Sequence, residues 1–124
     1  MTTAESDDHI AISHRFLGHA YEQLQAGDLP QASEKGWGAA AHYLKAVAKQ
    51  RGWNNRSHKD LFTINRRLIS ETDDPQRLEL LFGNLNGLHS NFYEDWYTEG
   101  DVRAGIEAAR EYIDWLEQAN VLDK

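Results

Sequence analysis

Apolar residues recur at three- and four-residue steps through five stretches of the chain, a spacing that predicts helices rather than strands. The first stretch, about 7–26, carries Ile10, Leu17, Tyr21 and Leu24 on one stripe. The second, about 29–51, carries Trp37, Ala41, Leu44 and Ala48 with Ala40, Tyr43 and Val47 beside them, a wide face suited to close packing. A short third stretch, about 58–71, presents Leu61, Ile64 and Leu68. The cleanest repeats are Leu78, Leu81, Leu85, Leu88 and Phe92 in the fourth, about 75–93, and Val102, Ile106, Ala109, Ile113 and Leu116 in the fifth, about 99–119.

Polar residues at the ends of these stretches supply start and stop signals. Asp28 and Asp74 precede the two prolines, Pro30 and Pro75, in positions where an N-cap acid is followed by a residue whose missing N–H costs nothing. Ser57 with Asp60 and Thr98 with Asp101 have capping-box spacing, and Gly27 and Gly52 read as C-terminal stops. Most connections are short, so neighbouring helices are expected to run antiparallel. The expected fold is all-α, an up-and-down antiparallel bundle of four to five helices in a single domain over 1–124, with residues 1–7 disordered.

Composition agrees with this and removes some chemistries. Ala and Leu together number 27 against 9 Ile and Val, which favours helix. The absence of cysteine excludes disulfides, thiolate nucleophiles and Cys-ligated metals. The polar, acidic opening is unlike a signal peptide, and no apolar run approaches the ~20 residues of a membrane span, so the expectation is a cytoplasmic protein with no membrane partner. Net charge is −7, yet residues 45–77 hold eight bases against four acids, leaving that third at +4 and the rest at −11. An anion-facing patch fits there.

Strict alternation of helix direction would gather the end of the second helix, the start of the third and the end of the fourth at one pole. Arg51, Trp53, Arg56, His58, His89, Asn91, Tyr93, Glu94 and Trp96 fall in those segments. His14, on the stripe of the first helix, is expected to point toward the same region. Glu34 and Trp37, in register near the start of the second helix, complete the candidate ligand-binding set of Arg56, His89, Asn91, Tyr93, Glu94, His14, Glu34 and Trp37. Trp53 and Trp96 are expected as lids on the core, with Tyr93 and Trp96 as walls of a pocket. Tyr43, Tyr97 and Tyr112 are expected to be exposed and available for pairing. An alternative gathers His14, His58 and His89 with Glu94 around a divalent ion, but no two histidines stand at i, i+4, and the expected set includes no metal and no cofactor.

Three stretches then carry a family resemblance: Ala32 to Trp53, containing Glu34, Lys35, Trp37, His42, Leu44, Lys45 and Arg51; Ser57-His58; and Leu88-His89-Ser90-Asn91-Phe92-Tyr93-Glu94. Together they resemble the HEPN superfamily, in particular its archaeal PaREP-type branch, over roughly 15–117. The resemblance implies a helical bundle that often pairs as a homodimer. It also implies a range of activities: metal-independent ribonucleases, toxin components, and non-catalytic binders of nucleotides or of partners such as nucleotidyltransferases. The nuclease branch carries an Arg followed after four to six residues by a His. Arg51 and His58 meet that spacing and are the candidate catalytic pair, the imidazole moving a proton while the guanidinium steadies a phosphorane. Gly52 departs from the pattern, where a polar residue follows the Arg. The expectation is therefore a homodimeric binding module for a small anionic ligand, nucleotide or partner protein, with an RNA-cleaving enzyme as the alternative.

Overall fold

Five helices account for most of residues 3–123, the part described by the computed structural model: α1 (Ala4–Ala26), α2 (Leu29–Arg51), α3 (His58–Ile69), α4 (Pro75–Glu94) and α5 (Glu99–Gln118), followed by a 3₁₀ turn at Val121–Asp123. The capping chemistry sets these limits. Asp28 and Asp74 accept from the backbone N–H of Gln31 and Arg77, and both capping boxes are closed. Gly27 and Gly52 end their helices at φ +83° and +73°, the left-handed region where glycine carries no Cβ penalty. The expected disorder over 1–7 is corrected: the Thr3 side chain caps α1 and the helix begins at Ala4, while residues 1 and 2 lie outside the described residues.

Helix α2 touches every other helix and forms the centre of the bundle. Along α1 it meets a seam of small residues, where Ser6 Oγ donates to the Ala46 carbonyl at 2.9 Å and Ser13 Oγ to the Ala39 carbonyl at 2.6 Å. Those two serines are seven residues apart, so the seam repeats every two turns. On the opposite side, Leu88 of α4 reaches Gly36 of α2 and Gly105 of α5.

Direction does not alternate as expected. Ser33 pairs with Asn91 at one end of the bundle and Arg51 with Glu71 at the other, so α4 runs antiparallel to α2 rather than alongside it. The reason is α3: it has only 12 residues, and the 52–57 loop carries the chain back so that α3 starts beside the middle of α2 and proceeds in the same sense. Tyr43 and Tyr112 are corrected as well, being fully buried, while Tyr97 is half-buried with its hydroxyl over Gly87. Trp96 is no lid, since 68% of it is exposed.

Candidate functional site

His58, the first residue of α3, and His89, on the last turns of α4, lie with ring centroids 4.7 Å apart and planes 23° from parallel. Both rings rest on Trp37 of α2, each 5.1 Å from the indole. Phe62 flanks His58 and Tyr93 stands edge-on to His89 at 5.6 Å. The cluster thus joins three helices around one indole, with His58 and Tyr93 exposed at its surface.

Hydrogen bonding fixes the chemistry of His58. Its Nε2 lies 3.2 Å from Asn86 Oδ1, an oxygen that only accepts, so Nε2 carries the proton and Nδ1 is left for a ligand. His89 has its pKa lowered, first by burial and then by the neighbouring charge of His58. The lowered pKa of His89 favours its neutral imidazole. At the N-terminus of α3 the N–H groups of His58 and Lys59 have no acceptor among the described residues, because the capping box serves Asp60.

Of the candidate residues, the structure brings together His58, His89, Trp37 and Tyr93. The others are placed elsewhere. Arg51 is corrected as a catalytic partner: its guanidinium grips Glu71 through two hydrogen bonds of 2.6 and 2.8 Å and also donates to the Val121 carbonyl. Fourteen residues of α2, about 21 Å of helix, separate it from the Trp37 that supports His58. Asn91 is buried, and its side chain donates to Ser33 Oγ while accepting from the backbone N–H of Trp96 and Tyr97. It fastens the α4–α5 connection and offers no free face to a ligand. His14 is exposed on α1, off the seam of Ser6, Ser13, Ala20 and Leu24 that meets the bundle. Glu34 is half-buried and Glu94 exposed; neither bonds to the two histidines. Arg56 faces a groove on the other flank of α3. Among the described residues, no three His, Asp or Glu side chains converge to hold a metal.

Sequence reasoning missed a second histidine pair. His9 of α1 and His42 of α2 approach through their Nδ1 atoms at 2.9 Å, so one donates and the other accepts. Burial, followed by Lys45, His9 and Lys35, pushes His42 down to about 4, and burial followed by Lys45 and Lys49 lowers His9. The folded chain then binds fewer protons than the unfolded one between pH 6.5 and 4. Stability is whole above that window and falls as pH drops through it. For a half-exposed ring the screened loss attributable to His42 is about 1–2 kcal/mol. Urea midpoints measured from pH 8 to 4 read this directly, and His42→Gln should flatten the decline; an unchanged slope would refute the assignment.

The chain resembles a solved structure of a Sulfolobus solfataricus protein with a TM-score of 0.74, covering 87% of this chain and 95% of that one at 22% identity, a likeness of fold. No curated protein matches it. Among the described residues, no helix is long and apolar enough to cross a membrane. The family model of the archaeal PaREP1/PaREP8 family matches residues 8–113, and the chain belongs to that family.

Proposed function

We propose that this chain is a HEPN-like binding module that acts as a homodimer and holds a small anionic ligand of the nucleotide class on its His58–His89 face. The stacked histidine pair on Trp37 is the observation that carries this reading. A seal over the core is better made from Leu or Phe, which bring no desolvation cost; two imidazoles there set a polar, titratable edge on an aromatic floor. Protonated at Nδ1, His58 donates to an anion beside the free N–H groups of the α3 N-terminus, with Lys59 next in the chain. The exposed Tyr93 and Trp96 give a base a surface to stack on. Those same exposed aromatics support self-association.

Calorimetric titration with adenosine monophosphate tests the site. His58→Ala and Tyr93→Ala should each weaken binding by about tenfold. Parent protein with no measurable affinity, or His58→Ala with undiminished affinity, would overturn the reading. Sedimentation at micromolar concentration reads the second half of the proposal, and a strictly monomeric species contradicts it.

A further inference from the structure

We infer that the groove between the 52–57 loop and α3 is a separate site for a small phosphate monoester. The loop is fixed before any ligand arrives: Gly52 turns it at φ +73°, Trp53 N–H donates to the Ala48 carbonyl at 2.9 Å, and the Asn55 side chain donates to the Trp53 carbonyl. This places the Trp53 indole against two guanidiniums, Arg51 at 5.0 Å and Arg67 at 4.8 Å from the ring centroid.

The two arginines differ in what remains of their donors. Arg51 gives both terminal nitrogens to Glu71 and Val121, and its Nε is buried away from the groove. Arg67 forms no ion pair among the described residues, and packing against the indole face leaves its in-plane N–H edge open while restricting its conformations. That edge borders a cavity of about 270 Å³ lined also by Trp53, Asn54, Asp60 and Thr63. A second hollow of about 310 Å³ shares Trp53, Asn54 and Asp60 and is lined by Lys49 and Arg56. The two hollows meet at Trp53, Asn54 and Asp60, with Arg67 on one and Arg56 on the other beside Lys49, which pairs with Glu5 at 3.6 Å. The acid in the groove, Asp60, is held at its Oδ2 by the backbone N–H groups of Ser57 and Arg56 at 3.2 and 3.1 Å, which lower its pKa.

Two forks from two elements, Arg67 of α3 and Arg56 of the loop, suit a dianion better than a carboxylate, which one fork satisfies. The cavity has the size of a phosphorylated small molecule rather than of a polymer. This site uses neither His58 nor His89, so it stands or falls apart from the proposed nucleotide face.

The test is a nuclear magnetic resonance titration of the full chain with inorganic phosphate at constant ionic strength. Saturable shifts are expected at the Trp53 indole N–H, Asn54, Thr63 and the Arg67 Nε–H, before the His58 and His89 rings respond. Arg67→Gln should weaken binding by about fivefold and Arg67→Lys by less, since it keeps the charge and loses the fork. Arg56→Gln, outside the indole stack, should weaken it by about twofold without disturbing the loop. Arg66→Gln, an exposed neighbour of equal charge, should leave it unchanged. Non-saturable shifts, an Arg66→Gln loss equal to that of Arg67→Gln, or acetate binding as tightly as phosphate would each overturn the inference.

Discussion

Arg51→Ala should lower the melting temperature by roughly 10 °C, the mark of a structural arginine rather than a catalytic one. The side chain is only 12% exposed and its partner Glu71 only 24%, so removing the guanidinium takes two charge-assisted hydrogen bonds from a carboxylate that is mostly screened from water. It also frees the Val121 carbonyl, which anchors the final turn against the end of α2, and takes away one of the two cations on Trp53. Breaking a pair of this kind costs about 3 kcal/mol, because the desolvation of the remaining partner is no longer offset. Arg51→Lys should recover little, since one ammonium cannot reproduce a two-pronged grip on Glu71 together with a third bond to a carbonyl. Thermal unfolding followed by circular dichroism decides the matter. A variant melting within ~1 °C of the parent would return Arg51 to the list of residues free to do chemistry.

The contrast between Arg51 and His58 shows which parts of this molecule its sequence discloses. The starts of α2 to α5 were legible to the residue, because caps are local: Asp28, Ser57, Asp74 and Thr98 act on N–H groups three positions away, whereas the start of α1 was placed three residues late. Helix direction was less so. A short third helix and a six-residue loop allow the chain either to start anew at the pole or to double back, and nothing in the local pattern distinguishes the two. His58 and His89 do meet, though by the second route and not at the pole where α2 ends. Arg51 was misread because its partners lie 20 and 70 positions away, and a charge at the end of an apolar stripe looks the same whether it is free or clasped. His9 and His42 were within reach of the sequence. The tight Gly27–Asp28 link closes the α1–α2 hairpin, and residues whose numbers sum to 51 or 52 face each other across it, as Ser13 faces Ala39 and His9 faces His42.

Leu88 should prove the most sensitive single position in the core. Its side chain is fully buried and wedges between two glycines on different helices: a Cβ on Gly36 would stand 2.9 Å from Leu88 Cδ1, and one on Gly105 would overlap Cδ2 and lie 2.7 Å from Cγ. Leucine thus locks α4 to α2 and α5 at once, and the glycines exist as the hollows that receive it. Leu88→Ala leaves a void that three helices must collapse together to fill, so a loss of about 3–5 kcal/mol is expected. Gly105→Ala sets two effects against each other. Helix propensity favours alanine by about 1 kcal/mol, while the new methyl meets the branch point of Leu88 rather than a mobile tip, and overpacking of that sort costs about 1–3 kcal/mol. Net destabilisation is expected alone. In the Leu88→Ala background the sign reverses, because the three atoms nearest that methyl all belong to Leu88 and the shortened side chain makes room for it. The double variant should therefore be at least as stable as Leu88→Ala, with a coupling of about 1–3 kcal/mol in the cycle. Denaturant unfolding of the four proteins measures that coupling, and simple additivity would mean that Leu88 and Gly105 are not in the contact described.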